Sequence, residues 1–395
     1  MESSAATASH RDFASLIDSA RSAPPAVTAG LTVLVVGLLM FVASGNFSGL
    51  GDTVGELSAL EIAAVALSSV AATVALMRAG GRSQYVALIL MAYIATILVI
   101  ITTLELLAQV SINGTVTGSY FALGAIGLTL VYGILKLVNF AHGDLLTMGA
   151  YIALFFNVTI GVPFVVALLL AVLLSAVVGV FFEFTLWRPM RRRNAGILQL
   201  VLMTIGLAFV IRNTIQLIAG AGQKRLDVNI TDTIDLIGGL TIGRTQLIVV
   251  VIAFVVLSAV AYMLRSTSLG RQMRALADNF DLAETTGIDT NRVVVYTWIL
   301  AAGLAGLAGV LVVASIGSLN PNTGFALLLP LFAAVVLGGI GNALGALVGG
   351  LVIGLAQEWS TLLIAPQWKT AIGFGVLIVV LIFRPQGIFG SDRTL

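Results

Sequence analysis

The sequence predicts an all-α integral membrane protein, a polytopic bundle of about 10–12 transmembrane or re-entrant helices. Two observations support this fold class. Of the 395 residues, 59% are hydrophobic and only 10% are charged. Apolar runs of roughly twenty residues, the length that crosses a bilayer, recur along almost the whole chain. The segments between these runs are too short for a soluble domain of ordinary size, so we expect the function to lie in the membrane or with partner proteins.

Twelve apolar runs, bounded by glycine, proline, asparagine or charge, are candidate spans. Two of them, 144–159 and 326–340, are about fifteen residues long, which is short for a straight span and favours re-entrant or broken helices. The other ten runs are 27–43, 57–77, 85–107, 112–135, 163–187, 197–219, 245–264, 293–316, 344–362 and 369–383.

The basic residues predict the orientation of the chain. With a cytoplasmic N-terminus, fifteen of the twenty lysines and arginines fall in inside loops, four fall in outside loops and Arg212 lies within a span. Cytoplasmic loops carry an excess of such residues. We therefore expect both termini in the cytoplasm and the chain in the cytoplasmic (inner or plasma) membrane.

Three regions differ in composition. Residues 1–26 are polar and are expected to form a cytoplasmic tail. Residues 27–108 contain three simple apolar spans. Residues 109–390 contain spans dense in glycine, asparagine and threonine, and we expect them to form the transport core. The longest predicted cytoplasmic loop, 265–292, lies within this core.

Composition argues against several classes of function. The chain has no cysteine and only two histidines, so thiol chemistry and a histidine-based metal site are not expected. The net charge of +2 does not indicate a nucleic-acid partner. No ATP-binding P-loop motif occurs, and no catalytic arrangement of serine, histidine or paired carboxylates stands out. We therefore expect neither an enzyme nor a cofactor bound by this chain.

The segment 139–144 places polar and flexible residues between two membrane-grade apolar runs. A non-helical segment at membrane depth is tolerated where it lines a cavity or is buried in protein. Asn139, His142 and Asp144, with Thr129 in the preceding run, are therefore candidates for a substrate pathway or its gate. The alternative is a cytoplasmic turn in which Asn139 or Asp144 caps the next helix.

The loop 265–292 contains apolar residues at helical spacing and charged residues on another face, with a glycine suited to end a helix. We expect one short amphipathic helix from 270 to 287 that docks on a soluble subunit, and a solvated surface helix is the alternative. Its candidate docking residues are Arg271, Arg274, Leu276, Asp278, Phe280, Asp281, Glu284 and Gly287.

Two further features lie in the predicted core. Gly338, Gly339, Gly341 and Asn342 are expected to form a tight turn that breaks one span into two short helices. Ionisable residues near membrane depth mark pathways or ion pairs, because charges there are costly. These residues are Glu105, Glu183, Arg212 and Glu358.

Ordered motifs across residues 109–390 resemble those of the branched-chain amino-acid ABC-importer permeases. The motifs are 127–133 (GLTLVYG), 139–144 (NFAHGD), 149–151 (GAY), 274–277 (RALA), 287–289 (GID), 305–309 (AGLAG), 336–341 (VLGGIG) and 383–387 (FRPQG).

This resemblance implies an ABC-importer permease fold and ATP-driven import by alternating access. The implied partners are a second, related but distinct permease, two cytosolic P-loop ATPases that bind ATP and Mg, and an extracytoplasmic solute-binding protein. The loop at 271–287 would then dock on an ATPase. Residues 1–108 depart from typical members, which begin near position 109.

Other functions stay open at this stage. The same family includes permeases for urea and short amides, so the solute is not determined. A secondary transporter coupled to protons or sodium through Glu105, Glu183 or Glu358 would also fit twelve spans with both ends inside. A passive channel is a weaker alternative.

Overall fold

A computed structural model of the chain describes residues 104–236, 240–383 and 386–389. The predicted tail at 1–26, the first two predicted spans and nearly all of the third lie outside these residues. The helices are α1 (Leu104–Leu135), α2 (His142–Leu154), α3 (Phe164–Phe182), α4 (Arg188–Arg192), α5 (Ile197–Ala219), α6 (Arg244–Ser266), α7 (Ser268–Asp278), α8 (Phe280–Thr285), α9 (Thr290–Ile316), α10 (Thr323–Gly338), α11 (Ala343–Ser360) and α12 (Lys369–Phe383).

Among the described residues, seven helices are long and apolar enough to cross a membrane, and two shorter apolar helices accompany them. The fold class is therefore confirmed as a polytopic helical membrane protein. The run predicted at 144–159 is longer than expected. Helix α2 begins at His142 and continues as a π-helical turn, Phe155–Ile160, to give a helical segment of 19 residues in all.

Helix α9 forms the centre of the bundle and packs mainly on α3 and α2. Glycine makes this packing close. A side chain at Gly149 would overlap the backbone of Gly306, and one at Gly309 would overlap the backbone of Leu146. Small residues let helix backbones approach each other where lipid supplies no hydrophobic driving force. The glycine-rich spacing of α9 thus positions α2 against the middle of the bundle.

Helix α1 runs antiparallel to α11, because Gly114 contacts Leu355 near one end and Gly133 contacts Gly341 near the other. The turn between α10 and α11 therefore lies beside the C-terminal end of α1. Two short antiparallel strands, β1 (Thr233–Asp235) and β2 (Thr241–Gly243), form a hairpin in the loop after α5.

The loop at 265–292 differs from the prediction of a single amphipathic helix. Two helices, α7 and α8, meet at Asn279, which has extended backbone angles. The Asn279 side chain accepts a hydrogen bond from the Leu282 backbone N–H and so caps α8. Asparagine favours this capping role over an interior helical position, and this preference breaks the helix.

Candidate substrate pathway

Helix α2 begins inside the bundle. After α1 ends at Leu135, residues 136–141 are not helical. The Nε2 atom of His142 is 2.9 Å from the Gly124 carbonyl oxygen. Gly124 precedes Leu135 by eleven residues, which corresponds to about 16 Å of helix. The segment therefore runs from the end of α1 back into the bundle, whereas the alternative was a cytoplasmic turn in which Asn139 or Asp144 caps α2.

Neither Asn139 nor Asp144 caps α2, so that part of the alternative is wrong. Ala141 occupies the N-cap position and makes no side-chain cap. Asn139 instead accepts a hydrogen bond from the Ala141 backbone N–H at 3.1 Å, which tightens the turn just before the helix. Asp144 lies in the first turn of α2, where a negative charge complements the positive end of the helix dipole.

The carboxylate of Asp144 forms a two-pronged ion pair with Arg212 of α5. The Nε and Nη2 atoms of Arg212 lie 2.9 and 3.0 Å from the two carboxylate oxygens. The Asp144 side chain is fully buried, whereas that of Arg212 is 14% exposed. Two parallel charge-assisted hydrogen bonds fix both the position and the orientation of the guanidinium group.

Sequence reasoning singled out both residues but did not pair them. They are separated by 68 positions. The sequence did contain a clue to the pairing. Each is an isolated ionisable residue in or beside an apolar span, their charges are opposite, and such residues usually pair with one another.

The first turn of α10 completes this site. The backbone N–H of Gly324 donates a hydrogen bond to the Thr147 hydroxyl oxygen of α2 at 2.9 Å. The adjacent Phe325 ring lies over the Arg212 guanidinium, with its centroid 4.2 Å from Cζ. A side chain at Gly143 would overlap the Gly324 carbonyl, so these two turns meet backbone to backbone. Helices α2, α5 and α10 thus converge on one charged pair.

Two buried polar atoms near the start of α2 have no protein partner, namely Asn139 Nδ2 and His142 Nδ1. Asn139 and His142 are both fully buried. An unsatisfied buried polar group costs free energy unless water or a ligand binds it. These two atoms are the unsatisfied hydrogen-bonding groups of the segment.

The hydrogen bond of the Thr129 side chain is made in a different part of the bundle from the charged pair. Its hydroxyl oxygen accepts a hydrogen bond from the Gly341 backbone N–H at 3.0 Å. The structure thus joins Thr129 to the turn between α10 and α11, and Thr129 itself is buried.

Residues 339–342 form that turn. Gly339 and Gly341 have φ values of 101° and 86°, which suit glycine. The Asn342 side chain accepts hydrogen bonds from the Leu344 and Gly345 backbone N–H groups and caps α11. A side chain at Gly338 would overlap the Gly345 carbonyl. The backbones of α10 and α11 are therefore in contact next to the turn.

Helices α7 and α8 present charge outward. Leu276 is buried and Phe280 is half-buried on the inner face. Arg271 and Arg274 donate hydrogen bonds to the backbone carbonyls of Ser266 and Leu264 at the end of α6. The exposed acidic residues are Asp278, Asp281 and Glu284, and Gly287, with φ of 85°, follows the end of α8.

One contact joins these two helices to the start of the pathway segment. The ammonium group of Lys136, the first residue after α1, donates a hydrogen bond to the Ala277 carbonyl oxygen of α7 at 3.0 Å. A movement of α7 would therefore act directly on the chain that leads to α2.

Comparison with known proteins gives the family. The family described as the permease component of the branched-chain amino acid transport system matches residues 110–381. The chain belongs to this family. The resemblance seen in the ordered motifs is thereby confirmed.

Curated relatives of this permease agree with the family assignment. It is 34% identical over 298 residues to the high-affinity branched-chain amino acid transport system permease protein BraD of Pseudomonas aeruginosa, covering 72% of this chain and 96% of the relative. It is 32% identical over 298 residues, with the same coverage, to LivH of Escherichia coli. It is 28% identical over 313 residues to the ribose import permease protein RbsC of Escherichia coli, covering 76% and 92%. No solved structure matches the chain.

Two of the three carboxylates considered for ion coupling are paired in this permease. Glu183 contacts Arg191, and Glu358 contacts both Lys369, at 2.8 Å, and Thr117, at 3.0 Å. The side chain of Glu105 lies outside the described residues. Within the part of the chain that the structure describes, no group of three or more potential metal-ligating residues occurs.

Proposed function

We propose that this permease is one of two permease subunits of an ATP-driven importer for branched-chain or related amino acids in the cytoplasmic membrane. Its partners would be a second, related permease, two cytosolic ATPases and an external solute-binding protein. Relatives named as branched-chain amino acid permeases, similar over 96% of their length, support the choice of solute class.

The observation that carries the transport mechanism is the buried start of α2. Asn139, His142 and Asp144 lie there at depth in the bundle, and a helix interrupted at such depth lines a cavity or is covered by protein. We assign these residues to the solute pathway. Thr129 and the turn at 339–342 would form part of its inner gate, because they lie at the C-terminal end of α1.

Coupling to ATP would pass through α7 and α8. Closure of the ATPases on bound ATP and Mg would displace these helices, and the hydrogen bond between Lys136 and Ala277 would transmit the displacement to the segment that precedes α2. The permease would thereby alternate between outward-open and inward-open states. Both termini would lie in the cytoplasm.

The test is ATP-dependent uptake of leucine by the complete complex in proteoliposomes. We expect uptake to require ATP on the side of the membrane where the ATPases bind. We also expect uptake to fall strongly in His142→Ala. The control is His10→Ala, the same substitution at the other histidine of the chain. Membrane insertion and subunit assembly should be normal in both variants.

Two results would contradict the proposal. Normal uptake in His142→Ala would remove the segment at 139–144 from the pathway. Uptake by the chain alone, driven by an ion gradient and without ATP, would identify a secondary transporter instead.

A further inference from the structure

We infer that the ion pair between Asp144 and Arg212 is a binding site for the zwitterionic α-carbon group of an amino acid. This inference rests on the proposed function and adds the recognition chemistry. The solute carboxylate would take the place of the Asp144 carboxylate on the guanidinium group. The solute ammonium group would bind the released Asp144.

The geometry of the pair suits this exchange. Arg212 presents Nε and Nη2 to two carboxylate oxygens at 2.9 and 3.0 Å. A free amino acid carries the same carboxylate group and can accept the same two parallel hydrogen bonds. No new geometry of the arginine is needed when one carboxylate replaces the other.

Charge balance explains why the site would select a zwitterion. Asp144 is fully buried and the Arg212 side chain is 14% exposed, and an unpaired buried charge is strongly unfavourable. A zwitterion that separates the two side chains leaves each of them paired. A solute with only a carboxylate or only an ammonium group would leave one side chain uncompensated.

Two aromatic rings supply apolar surface beside the charged group. Phe325 and Phe209 lie 4.2 and 5.7 Å from Arg212 Cζ. Their side chains are 52% and 56% exposed. An aliphatic side chain attached to the bound zwitterion could contact these rings, which agrees with an apolar amino acid as the solute.

Two other features lie beside the pair. Asn213, next to Arg212, is exposed within the span, and polar residues inside the membrane usually face a bundle interior or a water-filled cavity. Helix α10 begins beside the pair, and the N-terminal end of a discontinuous membrane helix favours an anionic solute group. Rotation of the exposed Phe325 ring would open the guanidinium to this side.

The decisive experiment removes both charges together. The complete complex would be prepared with Asp144→Asn, with Arg212→Gln and with the double variant, and leucine uptake would be measured in proteoliposomes. A structural pair tolerates joint neutralisation better than the loss of one partner. The inference instead predicts that uptake of the double variant stays at least about tenfold below wild type, a loss of about 1.4 kcal/mol or more in transition-state stabilisation.

A matched control neutralises a second, partly buried ion pair by Glu358→Gln with Lys369→Met. This control should retain uptake. Assembly and ATP hydrolysis should be normal in both double variants. In the absence of the binding protein, millimolar leucine should raise the melting temperature of the wild-type complex and leave that of the Asp144→Asn, Arg212→Gln variant unchanged.

The outcomes separate the two proposals. If the wild-type complex imports leucine and the Asp144→Asn, Arg212→Gln variant imports it equally well, the zwitterion site is overturned. The importer function would be unaffected by that result. An assembled wild-type complex that imports no amino acid would overturn both.

Discussion

The hydrogen bond between Thr147 and Gly324 offers a direct test of how α2 and α10 are held together. Thr147→Val keeps the shape of the side chain and removes the hydroxyl oxygen that accepts the Gly324 N–H at 2.9 Å. That N–H belongs to the first turn of α10, so no helical carbonyl replaces the lost acceptor. Both residues are buried, so water does not reach the donor.

The size of the effect follows from these facts. A buried donor left without a partner costs about 1–3 kcal/mol in soluble proteins. Hydrogen bonds between membrane helices are worth about 0.6 kcal/mol on average and at most about 1.7. Because this donor has neither a helical nor a water partner, we expect the free energy of unfolding to fall by about 1–2 kcal/mol.

The assay is reversible unfolding in mixed micelles with increasing denaturing detergent. Thr297→Val is the matched control, because Thr297 is equally buried and its hydroxyl donates to the Val293 carbonyl oxygen of its own helix. That carbonyl keeps its backbone hydrogen bond after the substitution, so we expect a loss under about 0.5 kcal/mol. Equal losses for the two valine variants would refute the reasoning.

Three further predictions follow from the packing. Gly309→Ala should destabilise the protein by about 1–3 kcal/mol in the same assay, because the added carbon would overlap the Leu146 backbone. Gly206→Ala, where the space is open, should be neutral or stabilising by up to about 1 kcal/mol. Asn342→Ala should cost about 0.5–2 kcal/mol, because it removes the cap of α11, and a lowered melting temperature would report it. Leu282→Glu, at a side chain 61% exposed on α8, should reduce co-purification of the ATPase without changing the melting temperature of the isolated chain; unchanged co-purification would argue against docking there.

Much of the helical architecture could be predicted from local sequence. Apolar runs of membrane length give a helix at every predicted position within 109–383, because the bilayer requires each backbone polar group to be satisfied inside its own helix. Short polar or glycine-rich interruptions also indicated the turn before Asn342 and a non-helical segment at 139–144. Only its first part, 139–141, is non-helical, because α2 already begins at His142. These are properties of consecutive residues.

Predictions failed where a residue had several possible partners. The amphipathic pattern at 270–287 appeared to be one helix, but Asn279 formed a cap and divided it. Asp144 looked suited to cap α2, but its side chain pairs with Arg212 on another helix. In both places a polar side chain had more than one possible partner, and sequence pattern alone does not show which partner it takes.

Hydrophobic length and ordered motifs are properties of the linear chain, so they indicate a multi-pass helical membrane protein and its permease family before any contact between helices is known. How deep the start of α2 lies in the bundle, and which charges face each other there, become visible in the folded structure. Depth and pairing depend on contacts between α1, α2, α5 and α10, which are distant in sequence. Close helix packing brings them together, and burial then requires the opposite charges to pair.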